Sequence, residues 1–192
     1  MADDEDSRAA VMTSAMMKAL SHPLRRRILK VFAKRDFARA ADIAADLDVP
    51  ANSVSFHLRV LADAGLISEA PDQARDRRDR VWKSDPLRLD LGTPEQPMAD
   101  EVLGSALLVA LAQDHAELLR RVVAWAPEFT AGRTTEIHGT FARSTVRMTE
   151  AQFEVLTKRL AEAIAEAQKA GESEGADSRV WEIDIVAADD RI

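Results

Sequence analysis

Along the first third of the chain, apolar residues recur at intervals of three and four, the spacing that lines one face of an α-helix. Met12, Met16 and Leu20 form the first stripe, and Leu24, Ile28 and Phe32 the second. Between them Ser21 reads as an N-cap, with Pro23 in the first turn, where its missing N–H costs little. A short helix over 39–47 is expected to bury Ile43 and Leu47. The "DVP" after it is a break, because a residue before proline disfavours helical torsions. The next helix, over 51–64, carries Val54, Leu58 and Leu61 on one face and stops at Gly65, its expected C-cap. "LISEA" and "RVWKS" then predict two short strands joined by the polar link "PDQARDRRD".

The pattern changes after residue 84. "SDPLRLDLGTPEQP" holds three prolines and one glycine, which places a domain boundary there and divides the chain into residues 1–90 and 91–192. A long helix from about 98 to 126 follows, with Leu103, Leu107, Leu111, Leu118, Val122 and Trp125 on or near one face, and Pro127 is expected to end it. Residues 135–148 have weak strand character. "TEAQ" matches a capping box, Thr149 with Gln152 three later. Its helix should bury Phe153, Leu156, Leu160 and Ile164 and stop at Gly171. "VWEIDIVA" alternates Trp181, Ile183 and Ile185 inward with Glu182 and Asp184 outward, a half-buried strand.

Composition narrows the function classes. No apolar run approaches the roughly 20 residues of a membrane helix, and the acidic start "MADDEDSRAA" lacks the basic opening of a signal peptide. A cytoplasmic protein with no membrane partner is expected. With no cysteine, disulfides, thiolate metal sites and cysteine nucleophiles are excluded. The net charge is −7, yet residues 18–88 hold 15 Lys/Arg against 10 Asp/Glu, a balance of +5, so the remainder sums to −12. A basic module is joined to an acidic one, which suits an acidic partner at one end.

The helix over 51–64 is where that partner would be read. With Val54, Leu58 and Leu61 turned to the core, Asn52, Ser55, Phe56 and Arg59 point the other way, clustered in the first two turns. A helix entering the DNA major groove needs this layout: a slim, polar N-terminal half that hydrogen-bonds base edges, on a back that packs against the preceding helix. Phe56 suits either a thymine methyl or a protein neighbour.

"ALSHPLRRRILKVFA", "ADIAADLDVPANSVSFHLRVLADAGLI" and the hairpin after them resemble the winged helix-turn-helix domain of ArsR-type bacterial transcription regulators over roughly residues 12–84. The most specific part is "SVSFHLRVLADAGLI". The resemblance implies a mainly α fold with small β elements: an N-terminal winged helix-turn-helix followed by a C-terminal α+β domain with a long helix. It places Ser53, Ser55, Phe56, His57 and Arg59 at or next to DNA, and makes the hairpin of 66–83 a wing along the phosphate backbone. The best-known members sense metals through cysteines, which this chain lacks. About 100 further residues make it similar to the longer members, whose effectors the motif does not specify.

Each candidate has a plainer counterpart. His57 stands at the edge of the apolar face and fits a locally hydrogen-bonded histidine as well as a phosphate contact. In the wing, Arg75, Arg77, Arg78 and Arg80 are interleaved with Asp72, Asp76 and Asp79, a net of only +1. Arginine forks match phosphate geometry, but a self-paired, solvated hairpin has the same composition. Arg25, Arg26 and Arg27 cannot share one helix face. No nucleophile–base pair, phosphate loop, cofactor motif or metal-ligand spacing stands out, so no enzyme is expected. Two apolar helices flanking a module of about 70 residues suggest a homodimer, which would also set two recognition helices about 34 Å apart on DNA; the alternative is burial inside the C-terminal domain of one chain. The expectation is a sequence-specific regulator of double-stranded DNA, a repressor by resemblance, with a small-molecule effector as a candidate ligand of the C-terminal domain. The alternative is a winged-helix protein-docking module.

Overall fold

The computed structural model describes residues 10–76, 79–84, 89–171 and 179–191. The described elements are β1 (Ala10–Val11), α1 (Ser14–Leu20), α2 (Pro23–Phe32), β2 (Ala38–Arg39), α3 (Ala40–Leu47), α4 (Ala51–Asp63), β3 (Ile67–Glu69), β4 (Val81–Ser84), β5 (Leu89–Asp90), α5 (Glu101–Thr130) and α6 (Glu150–Gly171). This is the mainly helical fold with small β elements, a helix-turn-helix followed by a long helix. The chain forms two compact units, Met1–Ala116 and Glu117–Ile192. The division expected after residue 90 follows the last winged-helix element; the first unit also takes in the first half of α5.

In the first unit, α2, α3 and α4 meet around Ile28, Ile43, Val54, Leu58 and Leu61, all fully buried. Burial of each such side chain stabilises by about 1.5–3 kcal/mol. The first helix differs from its expected stripe. Met17 is fully buried while Met16 and Leu20 are half-buried, and Thr13 caps the helix by accepting the Met16 N–H at 3.2 Å. Ser21 closes α1 instead of opening α2: its hydroxyl donates to the Met17 carbonyl at 2.8 Å. The N-cap of α2 is His22, whose Nδ1 accepts the Leu24 N–H at 3.2 Å.

Gly65 ends α4 as its spacing predicts. It takes φ +73°, and the Gly65 and Leu66 amides bond to the Ala62 and Leu61 carbonyls at 2.9 and 3.0 Å. That closure requires the left-handed region open to glycine, and it directs the chain into β3. β3 and β4 pair antiparallel, as the hairpin predicts, and β2 adds to the other edge of β4 with Ala38 opposite Trp82 and Arg39 opposite Val81. β2 escapes the sequence pattern, since two residues are too few to show an alternation.

The proline-rich stretch is not a bare linker. Its Leu89–Asp90 forms β5, parallel to β1, and beyond it Asp100 caps α5 by accepting the Leu103 N–H at 3.0 Å. Leu107 of α5 is fully buried with Met12 and Met17. Gly104 lets the Met98 side chain lie directly on the helix, in space a Cβ would occupy. Pro127 does not end α5, which runs on to Thr130. By length and composition this helix could cross a membrane. The sequence hides that property because Asp114 and Glu117 interrupt the run, and Asp114 is held by Arg26 inside the first unit.

In the second unit, α6 begins at the capping box as predicted. The Thr149 N–H donates to Gln152 Oε1 at 2.8 Å and the Gln152 N–H to Thr149 Oγ1 at 3.3 Å. The burial expected there is not found: Phe153, Leu156 and Leu160 are exposed and Ile164 is half-buried. The strands expected over 135–148 and 180–187 are absent among the described residues. Period-two alternation marks a chain able to pair, but a ladder forms only where a partner edge is present.

Candidate nucleic-acid interface

Two helices, α3 and α4, and the short turn between them carry the site. Asp48 closes α3 in the left-handed region at φ +52°, and Pro50 is the N-cap of α4. The first turn of α4 contains no acidic residue and Pro50 offers no side-chain acceptor, so this end presents the positive pole of the helix dipole. Asn52 serves it through Oδ1, which accepts the Ser53 N–H at 2.9 Å.

Asn52, Phe56 and Arg59 are exposed, with Ser53 and Ser55 half-buried between them. Ser55 donates its hydroxyl proton to the Ala51 carbonyl at 3.0 Å, which leaves the oxygen able to accept from a ligand. The Arg59 Nε–H makes only a long bond, 3.3 Å, to the Ser55 carbonyl, and its terminal nitrogens have no carboxylate partner among the described residues. Phe56 is 58% exposed. These five side chains lie together on the outer face of the first two turns, opposite buried Val54, Leu58 and Leu61.

His57 is placed otherwise. It is only 8% exposed and packs its ring on His22, centroids 4.6 Å apart, with Phe56 edge-on at 5.4 Å. Its Nδ1 has no hydrogen-bond partner among the described residues, and the ring packs directly behind the exposed face of α4. Both histidines are held below the ordinary imidazole range, mainly by burial. For His57 the charges of His22 and Arg25 add to this, and for His22 those of Arg25 and Arg26. Folding therefore favours the neutral rings. Their contribution to stability is complete above the unfolded value of 6.5 and is lost as pH falls from there through the lower folded values. Thermal melts are expected to be flat from about pH 8 to 7 and to decline toward about pH 5, with a shallower decline in His57→Asn. An equal acid slope in both proteins would refute the linkage.

The wing is braced from a residue distant in sequence. Arg39 of β2 donates its Nε–H to both oxygens of Asp79, at 2.8 and 3.0 Å, and the Arg75 amide donates to Asp79 Oδ2 at 3.0 Å. The Asp79 carboxyl sits below the usual range because of these bonds, the Arg39 bond first. Arg80 lies 3.5 Å from Glu69 across the hairpin. Part of the interleaved acidity is thus consumed in holding the wing's shape; the Arg75 side chain is exposed, and its charge also acts on Asp79. Arg77 and Arg78 lie outside the described residues.

The three consecutive arginines each meet a different partner. Arg25 donates to the Lys18 and Ala19 carbonyls, closing α1. Arg27 donates to the Leu47 carbonyl at 3.0 Å, closing α3. Arg26 is buried: it forks onto Asp114 of α5 at 2.8 and 3.0 Å and also donates to the Leu20 carbonyl at 2.8 Å. Sequence reasoning missed Arg39, His22 and Arg26 as supports of the site. Their partners lie 40, 35 and 88 residues away, and no local pattern reports such pairings.

Residues 20–70 match the family model of a helix-turn-helix domain. The first unit thus carries the kind of domain through which DNA-binding transcription regulators hold their target. Among solved structures, the chain is similar to a protein described as a possible transcriptional regulator for arsenical resistance, at 27% identity over 56% of this chain and 92% of that one, with a TM-score of 0.32. ZitR of Lactococcus lactis, in the apo form of a double mutant, is 19% identical over 76% of this chain and 83% of its own, TM-score 0.34. YusO of Bacillus subtilis is 19% identical over 62% and 77%, TM-score 0.36. No curated protein matches the chain.

Proposed function

We propose that this protein is an ArsR-type transcription regulator that binds operator DNA as a homodimer and represses by occupying the promoter. The observation that carries the reading is the outer face of α4: Asn52, Ser53, Ser55, Phe56 and Arg59 on a helix whose other side is buried and whose first turn bears no acid. In this reading α4 enters the major groove. Arg59 and Asn52 read base edges, Phe56 meets a thymine methyl, and Arg75, Arg77 and Arg78 hold phosphates from the wing. A cytoplasmic location follows from that target.

A second copy is supported by α5. Val102, Ser105, Val109, Ala112 and Ala116, all in the first unit, follow one another at alternating intervals of three and four, and all are exposed. This is a heptad seam of the kind that pairs helices, on the side of α5 away from Leu103, Leu107 and Ala110. Residues 1–90 would then be the DNA-reading part and 91–192 the dimerising part, with any effector held by the latter.

The test is fluorescence anisotropy with the chain's own upstream DNA and a scrambled duplex across a salt series. Arg59→Ala should lose about 1–3 kcal/mol on the specific duplex and little on the scrambled one. Arg75→Ala should weaken both alike and flatten the salt dependence by about one phosphate. Equal losses for Arg59→Ala on both duplexes would overturn its base-reading role. The exposure of Phe56 favours one other reading, a protein-docking face. No duplex binding at low salt, with Phe56→Ala abolishing capture of a protein partner, would select it.

A further inference from the structure

His57 lies among the buried residues of α4, and His22 stands at the joint between α1 and α2. Their rings pack at a centroid distance of 4.6 Å, tilted by 49°. Each ring is tied to its neutral form by a different contact. At His22, Nδ1 accepts the Leu24 N–H and so caps α2. An imidazolium carries a proton on both nitrogens and accepts nothing, so protonating His22 removes that cap. At His57, Nδ1 is buried with no partner among the described residues. Protonating this ring places a charged N–H there with no acceptor to receive it.

The surrounding charges act in the same direction. Arg25 acts on both rings, Arg26 on His22, and His22 on His57. Arg26 is itself held by Asp114 of α5. The helices α1 and α3 and the strand β3 also contact α4, yet the charges acting on the pair come from α2 and from the pair itself, with no carboxylate among them. What happens at the pair reaches the outer face of α4 directly. Phe56, next in the chain and edge-on to the His57 ring at 5.4 Å, belongs to that exposed face.

We infer that the His22–His57 pair is an acid-sensitive brace of α4: the neutral rings hold the outer face of the helix in position, and protonation of either ring loosens it. The consequence for DNA rests on the proposed function. Where α4 reads sequence, discrimination between duplexes becomes dependent on pH, with the two histidines as positioning residues. This differs from the general gain of positive charge in acid, which tightens binding to every duplex alike.

The first readout needs no DNA. Amide hydrogen exchange of the full-length chain is compared at about pH 7.5 and about pH 5.5, corrected for intrinsic rates, on peptides covering α4. The expected result is roughly a tenfold loss of protection at the lower pH, the linkage of one ring over about one pH unit. His57→Phe keeps a ring against His22 and carries no proton, and His22→Asn keeps a cap acceptor for Leu24. Each single variant should lose less protection than the wild type, and the double variant none. Unchanged α4 protection in the wild type would overturn the brace, as would the full loss in both single variants.

The second readout is anisotropy on the chain's own upstream duplex and a scrambled one, at constant ionic strength across the same range. The preference for the first duplex should be level above about pH 7, fall about tenfold by pH 5.5, and stay level in the double variant. A preference that holds while α4 loses protection would overturn the coupling to DNA. No preference at any pH would overturn the sequence-reading role of α4 alone, the brace being decided by exchange.

Discussion

Under the proposed pairing of α5 with a second copy, Val109→Arg is expected to leave the protein a monomer in sedimentation and to weaken binding to the proposed operator about a hundredfold. Val109 is 60% exposed at the middle of the α5 heptad seam. Inside one chain an arginine there meets only solvent, and far-UV circular dichroism of the winged-helix unit should hardly change. In a paired seam it would bury two guanidinium groups against each other with no carboxylate opposite, a penalty of several kcal/mol. DNA binding falls for a separate reason: two tethered recognition helices hold two half-sites, and a monomer holds one. A Val109→Arg protein that remains dimeric and binds normally would remove α5 from the interface.

The second large effect belongs to Asp114. The Arg26 side chain is 8% exposed and Asp114 30%, and removing the carboxylate leaves a buried guanidinium with only the Leu20 carbonyl and a long contact to Ala110. Breaking such a pair costs about 3 kcal/mol, which for a unit of this size lowers Tm by about 15 °C. Asp114→Ala should show that loss, whereas Arg26→Met combined with Asp114→Leu should recover most of it, because the double variant leaves no charge to desolvate. The carboxyl is held below its ordinary value of 3.8, first by the Arg26 hydrogen bond. The pair's contribution is therefore present above that pH and lost as pH falls through the lower folded value. An unchanged melt for Asp114→Ala would show that the clamp contributes nothing.

Much of the DNA-reading module is legible in the sequence because its information is local. The break before Pro50, the glycine stop at residue 65 and the apolar spacing of Val54, Leu58 and Leu61 each act within a turn or two of chain, as does the capping box at Thr149 in the second unit. Where the pattern misleads, the competing interaction is also local but chemically unusual: His22 replaces Ser21 as a cap because an imidazole nitrogen accepts a backbone N–H as a hydroxyl does. Pro127 suggests a stop, yet a proline in the last turn of α5 loses only one helical bond, and the helix continues to Thr130.

By itself the sequence determined which segments are helices, where the turn and wing fall, and which side of α4 is apolar. These depend on periodicity and on backbone preferences of single residues. Only the tertiary structure decided that His57 packs on His22, that Arg39 braces the wing through Asp79, and that Arg26 is buried on Asp114. Each of these needs two groups tens of residues apart to meet, and the free energy that selects them is desolvation, which no one-dimensional pattern encodes. The same reason governs the C-terminal unit: alternation marked "VWEIDIVA" as a strand with an inside and an outside, but which side is covered depends on the surface packed against it.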